Sequence, residues 1–231
     1  MTKEEFVLEC QKIGVVIDSD ILFKLNQYYN LLIRWNKKIN LTSITSEKEV
    51  YLKHFYDSLC IVKVIDLNKI DSFCDIGTGA GFPGLVLKIV FPSLNVVLVD
   101  SLSKRINFLN EVIKELELTN IEAVHARAEE YVLLHRSSFD LVTARAVASL
   151  SVLMELCLPL VKNNNCFIAY KGSTIENFDN ALKKLNSKLE KILEFDLPQN
   201  QGKRSLIKMR KINEISTKYP RRFDKIKKNP L

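Results

Sequence analysis

The sequence predicts an α/β fold with a mostly parallel central sheet, an antiparallel C-terminal strand and a helical N-terminal extension. In the middle of the 231-residue chain, short apolar runs alternate with stretches of helical periodicity, as in parallel strands joined by crossover helices. Four glycines fall within eight positions directly after one of these runs, although the chain has only seven glycines. The first 68 residues carry apolar side chains at helical spacing.

The helical extension is assigned to residues 1–68. Asp18 or Ser19 is a suitable cap for its main helix, whose apolar stripe indicates packing against a core. A further helix is predicted from about Ser46 through EKEVYLKHFYDSLCIVKVI. The apolar stripe of the main helix consists of Leu25, Tyr28, Leu32 and Trp35.

The central domain is assigned to residues 69–214. Strand and helix patterns alternate through it, and two final apolar segments separated by PQNQGK predict an antiparallel pair. The predicted parallel strands contain SFCDI, VVLVD, IEAVH, FDLVTARAV and CFIAY, and the final pair contains KLEKILEFDL and RSLIKMRKI. Helices are predicted to begin near Pro83, Ser103, Glu129, Ser149 and Thr174.

The glycine-rich segment DIGTGAGFPG joins the first predicted strand to its helix. Parallel sheets bind ligands at the carboxyl ends of their strands, and glycines let a ligand lie against the backbone. Gly79, Gly81 and Gly84 satisfy the G-x-G-x-x-G pattern of nicotinamide or flavin dinucleotide sites. Asp75 favours a different ligand, because a carboxylate there repels a pyrophosphate and attracts a cationic amino-acid group. We therefore expect S-adenosylmethionine, with Asp75, Gly77 and Gly79 among its contacts.

Further candidate residues stand where the later strands end. Asp100 ends the second strand and suits the two hydroxyls of a ribose, which both cofactor classes possess. Ala128 and Glu129 follow the third strand, where a backbone N–H and a carboxylate suit an adenine edge. Arg145 follows the fourth strand and suits a carboxylate or the O6 and N7 edge of a guanine. That strand end has neither an Asn/Asp-Pro-Pro-aromatic tetrad nor a cysteine, which argues against methylation of exocyclic amines or of C5 in pyrimidines.

The last segment, residues 215–231, is predicted to be a basic tail. The chain has a formal net charge of +7, and eleven Lys or Arg against two acidic residues from Gln201 onward account for this excess. Such a concentration of charge suits a polyanion such as RNA, although it is also compatible with a solvated chain end. The candidate phosphate contacts, beside Tyr219 and Phe223, are Arg221, Arg222, Lys225, Lys227 and Lys228.

The cysteines and the apolar runs of the sequence indicate the compartment of the protein and whether it binds a metal. Five cysteines without a CxxC pair argue against a disulfide framework and a zinc site, so we expect no metal. No apolar run approaches the roughly 20 residues of a membrane span, and the charged first residues do not form a secretory signal. We expect a cytoplasmic protein without a membrane partner.

A set of specific motifs runs along nearly the whole chain. In order they are RWNKKINLTSI, HFYDSL, DIGTGAGFPG, LVDSLSKRINFL, RAE, TARAVASL, YKG, and YPRR with a closing NPL. Together they resemble the bacterial ribosomal small-subunit guanine-N7 methyltransferase G family, also called glucose-inhibited division protein B. The resemblance implies a Rossmann-like class I methyltransferase fold and transfer of methyl from S-adenosylmethionine to N7 of one guanine in 16S ribosomal RNA. The cofactor contacts that it implies are Gly77, Phe82, Ala128, Glu129 and Arg145, with Asp100 at the ribose.

The tail departs from the family pattern at FDKIKK, where similar proteins usually have a Gly- and Pro-containing stretch. The departure concerns the conformation of the tail and leaves its positive charge unchanged.

The expected chemistry needs few catalytic groups. Guanine N7 has a free lone pair and loses no proton, so transfer requires alignment with the sulfonium methyl and no general base. Arg145 is expected to position the base, and His54 in HFYDSL is expected to lie near the site. Two alternatives stay open: a noncatalytic RNA-binding or ribosome-assembly protein, and an NAD-dependent oxidoreductase. The expected partner is small-subunit ribosomal RNA, either free or in an assembled subunit.

Overall fold

The structure is a computed structural model that describes residues 1–145, 148–172 and 176–231. Its strands are β1 (Ser72–Ile76), β2 (Asn95–Asp100), β3 (Ile121–His125), β4 (Phe139–Ala144), β5 (Val161–Lys171), β6 (Ser187–Asp196) and β7 (Lys203–Lys211). They form one sheet in the order β3-β2-β1-β4-β5-β7-β6, in which β1 to β5 are parallel and β7 is antiparallel to both neighbours. The predicted sheet is therefore confirmed. Because the chain order reverses between β1 and β4, a ligand crevice is expected at their carboxyl ends.

Helices cover both faces of this sheet. The predicted starts near Pro83, Ser103, Glu129 and Ser149 agree with the structure to within one residue, and the start near Thr174 lies outside the described residues. The α-helices of the described residues are α1 (Lys3–Lys12), α2 (Ser19–Asn36), α3 (Glu47–Val50), α4 (Asp57–Leu59), α5 (Gly84–Val90), α6 (Ser103–Glu115), α7 (Ala128–Leu134), α8 (Leu150–Cys157), α9 (Asp179–Lys184) and α10 (Phe223–Lys228).

The segment that follows Ser46 is less regular than the single helix predicted for it. The chain passes from α3 into a π-helix over Tyr51–Tyr56, then through α4 into a 3₁₀ turn over Cys60–Lys63. A π-helical turn changes which side chains share a face, and such turns are frequent at functional sites. This one contains the first three residues of the HFYDSL motif, and α4 contains the other three.

The two faces of the sheet carry different helices. Phe73 on β1 is buried among residues of the N-terminal helices, α5 and α6, whereas its neighbour Cys74 is buried among α7, α8, α9 and α10. This alternation follows from the two-residue repeat of a strand. The ring of Tyr28 on α2 lies 5.5 Å from that of Phe55 and 5.6 Å from that of Phe82. The N-terminal helices thus share a core with the glycine-rich segment.

The C-terminal segment is folded onto the domain. Ile215, Tyr219 and Ile226 are buried in the same core as Cys74, and α10 begins two residues after Arg221. The sequence did not predict this helix. Across the described ranges, no helix is both long enough and apolar enough to cross a membrane.

Candidate active site

A cavity of about 310 Å³ opens at the carboxyl ends of β1, β2 and β3. Four of the predicted contacts line it: Gly77, Asp100, Ala128 and Glu129. Its other walls come from the segment between β2 and α6, from the start of α7, from α8 and from the C-terminal segment. These further lining residues are Ile76, Val99, Ser101, Arg105, Ala126, Arg127, Ala148, Val152, Leu153, Leu156 and Phe223.

The glycines beside the cavity have two different roles. Gly77 has φ +68°, and a Cβ built on it meets no atom within 4 Å, so its backbone faces open space. That conformation favours glycine, and the open space suits a ligand lying against the main chain. A Cβ on Gly84 would instead lie 2.2 Å from Cδ2 of Leu98, so Gly84 is required for packing. The residues present fit a cofactor that approaches the backbone at Gly77.

Asp75 is fully buried beneath the glycine-rich segment. One carboxylate oxygen accepts a hydrogen bond from the Gly84 N–H at 3.0 Å, and the other accepts one from the Thr143 hydroxyl at 2.8 Å. Burial raises the pKa of this carboxyl to about 6, although these hydrogen bonds favour the charged form. Asp75 therefore holds the segment in shape, and direct contact with the cofactor stays a prediction.

Asp100 lies at the end of β2 with its carboxylate on the cavity wall. It accepts hydrogen bonds from the N–H of Gly79 at 3.0 Å, from the N–H of Leu102 at 2.9 Å and from Nη1 of Arg105 at 3.1 Å. A carboxylate has about four acceptor positions, so three of them are in use. To accept hydrogen bonds from both hydroxyls of a ribose, Asp100 must lose one of its three present donors. Two of these donors are backbone N–H groups, so the donor that can move is the Arg105 side chain, which is one-third exposed. The sequence did not indicate this arginine.

A second group of side chains surrounds Arg145 at the end of β4. Its Nη2 donates to the Lys53 carbonyl and to Nδ1 of His54, both at 2.8 Å. Its Nη1 lies 3.4 Å from a carboxylate oxygen of Asp57, and its Cζ lies 5.7 Å from the ring centre of Phe82. Phe82 and Arg145 thus lie next to each other. They do not line the cavity that Gly77, Asp100, Ala128 and Glu129 line.

His54 is held as a neutral acceptor. An arginine can only donate, so Nδ1 of His54 carries the lone pair, and Nε2–H donates to the Thr42 hydroxyl at 2.9 Å. Burial and the nearby charge of Arg145 lower the pKa of this imidazole to about 3. The ring also stacks on Phe82 with a centre distance of 4.3 Å. His54 was predicted to lie near the site, and in the structure its imidazole contacts Arg145 and orients the guanidinium.

Two of the sequence motifs have a clear structural purpose. In RWNKKINLTSI, the Asn36 side chain accepts from the N–H groups of Leu41 and Thr42 and donates to the Thr42 carbonyl, which places Thr42 against His54.

In HFYDSL, Asp57 lies between Arg145 and Arg204. One carboxylate oxygen faces Arg145, and the other lies 3.3 Å from Nε of Arg204. Asp57 was not identified from the sequence, although its motif was.

The predicted phosphate contacts are of two kinds. Arg221 donates from its N–H, Nε and Nη2 to the fully buried carboxylate of Glu155, at 2.9, 2.8 and 2.6 Å. The Glu155 carboxylate therefore holds this guanidinium, whose side chain is 25% exposed, and its contact with a phosphate stays a prediction. The remaining four are exposed, and they are Arg222, Lys225, Lys227 and Lys228. In the described part of the chain, no group of three or more His, Cys, Asp or Glu side chains is placed to hold a metal ion.

Known proteins resemble this chain in sequence and in fold. The family model for rRNA small subunit methyltransferase G, GidB, matches residues 21–218. The ribosomal RNA small subunit methyltransferase G of Bacillus subtilis is 47% identical over 237 residues, which cover 100% of this chain and 99% of the relative.

Solved structures with low sequence identity share the fold. A SAM dependent methyltransferase from Aquifex aeolicus superposes with a TM-score of 0.54 at 15% identity, covering 77% of this chain and 97% of its own. The M. jannaschii protein TYW2 in complex with AdoMet has a TM-score of 0.51 at 16% identity, covering 62% of this chain and 69% of its own. The expected cofactor, S-adenosylmethionine, is thus supported by fold and by family. The chain belongs to the GidB family of S-adenosylmethionine-dependent rRNA small subunit methyltransferases.

Proposed function

We propose that this chain transfers the methyl group of S-adenosylmethionine to N7 of a guanine in 16S ribosomal RNA, in the cytoplasm where ribosomal subunits are made. The observation that carries the N7 assignment is the arrangement around Arg145. A cationic donor stands at the strand end where a base must meet the cofactor, and the neighbouring imidazole is neutral with its lone pair already used. Methylation of N7 needs a positioned base and no proton acceptor.

Arg145 supplies the positioning. Its Nη1 is buried and, among the described residues, has no hydrogen-bond partner, with the Asp57 carboxylate lying 3.4 Å away. A buried donor without a partner is costly, so an acceptor that reaches it is bound favourably. The guanine O6 is such an acceptor once the guanidinium turns from its contact with Asp57 towards the base, and a hydrogen bond to O6 leaves the lone pair of N7 free for attack.

The cavity at β1, β2 and β3 holds the cofactor. Asp100 takes the ribose hydroxyls after Arg105 moves aside, the backbone at Gly77 borders the amino-acid end, and Ala128 with Glu129 takes the adenine edge. When bound, S-adenosylmethionine supplies the electrophilic methyl group. The protein aligns the base with that methyl and keeps the site free of competing acceptors.

Ribosomal RNA is held through its phosphates. Two of the exposed cations, Arg222 and Lys227, line a neighbouring surface cavity together with Glu129 and Phe223, which also line the cofactor cavity. An A-form groove hides the N7 of a paired guanine, so the target is in a loop or a distorted helix. We propose the assembled small subunit as the substrate, because it fixes such a loop relative to the surrounding phosphates, with free RNA as the other outcome.

The test is a methyl-transfer assay with labelled S-adenosylmethionine on free 16S RNA and on small subunits from cells that lack the protein. Digestion to nucleosides and mass spectrometry then identify the methylated position. The expected product is N7-methylguanosine, formed faster on subunits. A different methylated position contradicts the N7 assignment, RNA binding without transfer supports the noncatalytic alternative, and binding of NAD in place of S-adenosylmethionine supports the oxidoreductase alternative.

A further inference from the structure

The C-terminal segment forms part of the cofactor cavity. Phe223, the first residue of α10, lines the same cavity as Asp100, Ala128 and Glu129, although it is more than 90 positions later in the sequence. Its side chain is at the surface, with the residue 38% exposed. Phe223 begins FDKIKK, where this chain departs from the pattern of similar proteins, so family motifs did not indicate the contact.

Three anchors fix the segment on either side of Phe223. Before it, the Tyr219 ring is buried and its carbonyl accepts a hydrogen bond from Nη1 of Arg136 at 2.6 Å. Two residues before Phe223, Arg221 forms a two-point ion pair with the buried Glu155 carboxylate. After it, Ile226 is fully buried in the core. The placement of Phe223 is therefore determined by tertiary contacts on both sides.

The anchor and the cavity wall belong to one helix. Glu155 on α8 binds Arg221, and the same helix contributes Val152 and Leu156 to the cavity. A shift of the C-terminal segment against α8 would move the Phe223 ring relative to these aliphatic side chains. The ring and these aliphatic side chains thus line the same cavity.

We infer that Phe223 is a cofactor-binding residue that contacts the adenine ring of S-adenosylmethionine. An aromatic ring with aliphatic neighbours suits the apolar faces of a planar base, and Glu129 on the same cavity offers a polar partner for the edge of the base. The charged amino-acid end has no such preference and lies at the glycine-rich segment. The inference rests on the cofactor assignment made above.

Calorimetric titration of the full-length protein tests this contact without RNA and without turnover. Base–aromatic stacking of this kind predicts that Phe223→Ala raises the Kd for S-adenosylmethionine by about 5- to 50-fold. The Kd for adenosine rises by the same factor, because the contact is to the base, and Phe223→Trp keeps wild-type affinity. The melting temperature without ligand changes little, because the side chain is at the surface. Phe23→Ala is the matched control, an exposed phenylalanine on α2.

The outcomes separate this inference from the proposed function. If wild-type protein binds S-adenosylmethionine and Phe223→Ala binds it within two-fold of wild type, the inference is wrong and the function stands. If adenosine affinity is unchanged while S-adenosylmethionine affinity falls, the ring contacts another part of the cofactor, and the inference is also wrong. If wild-type protein does not bind S-adenosylmethionine, the proposed function itself fails.

Discussion

The two ligand-facing regions at the carboxyl edge of the sheet are built differently. Around Gly77 and Asp100, the cavity is bordered by backbone and by a carboxylate that neighbouring N–H groups hold in place. Around Arg145, the site consists of side chains delivered by the π-helix, α4, β4 and the glycine-rich segment. The first region can receive a cofactor once the Arg105 side chain moves, whereas the second is already packed around a buried donor, Nη1 of Arg145, that makes only an ion-pair contact with Asp57. This difference predicts that changes in the first region affect cofactor affinity and changes in the second affect transfer.

The largest effect is expected at Arg145. Removing a donor that acts on the reacting base costs a factor of about 100 or more in rate. Arg145→Ala should therefore lower single-turnover methyl transfer by at least about 100-fold while its Kd for S-adenosylmethionine stays within about three-fold of wild type.

The loss of its hydrogen bonds, together with the loss of one of the two cations that face the buried Asp57 carboxylate, should cost about 2–4 kcal/mol of folding stability, measured by urea unfolding. The matched control is Arg34→Ala, which removes a surface arginine paired with Glu111. Wild-type transfer by Arg145→Ala would show that the residue only closes an ion pair with Asp57.

Replacing Asp100 should weaken cofactor binding and leave the transfer step largely intact, the opposite of what is expected for Arg145. Loss of two charge-assisted hydrogen bonds to the ribose is worth about 2–4 kcal/mol, so Asp100→Ala should raise the Kd for S-adenosylmethionine by tens- to hundreds-fold. Transfer at saturating cofactor should fall much less. Asp140→Ala serves as the control, because Asp140 is also paired with a cation, Lys162, but is the second residue of β4, at the amino ends of the parallel strands. Equal Kd values for Asp100→Ala and wild type would remove Asp100 from the cofactor site.

The exposed cations of α10 should act on RNA and on neither of the two regions. Replacing Lys225, Lys227 and Lys228 with Gln should flatten the dependence of log K on log salt by roughly 0.7–0.9 per lost phosphate contact. The control replaces three lysines at the opposite edge of the sheet, which are Lys69, Lys114 and Lys184. An unchanged salt slope in the α10 variant would place the RNA surface elsewhere.

The smallest expected effect is that of pH. The pKa of His54 is lowered to about 3, so the imidazole stays neutral, and transfer at saturating substrates should be constant from about pH 7 to pH 8.5, above the pKa of about 6 that burial gives Asp75. Stability behaves differently, because in the unfolded chain this group titrates near pH 6.5. The free energy of unfolding that the neutral His54 contributes is fully present above pH 6.5 and is lost as the pH falls towards 3. A transfer rate that rises with a midpoint between pH 7 and pH 8.5 would indicate a general base and contradict the account.

The same difference explains what the sequence could and could not predict. Gly77, Asp100 and Ala128 lie at strand ends, where local pattern fixes their position in a parallel sheet. The contacts of Arg145 with His54 and of Arg221 with Glu155 join residues 91 and 66 positions apart, which local patterns do not encode. The sequence therefore predicted a basic tail over residues 215–231 as a segment of its own, and did not predict that three of its side chains are buried against the domain. Its deletion would expose the Glu155 carboxylate, so point substitutions are the better test of its charge.

The central claim is tested most directly on ribosomal RNA from cells. The measurement is the N7-methylguanosine content of 16S RNA from a strain that lacks this gene, complemented with wild type, Arg145→Ala or Arg34→Ala. The account predicts that one N7-methylguanosine is lost on deletion and restored by wild type and Arg34→Ala, with Arg145→Ala failing to restore it. An unchanged content of N7-methylguanosine after deletion, or full restoration by Arg145→Ala, would contradict it.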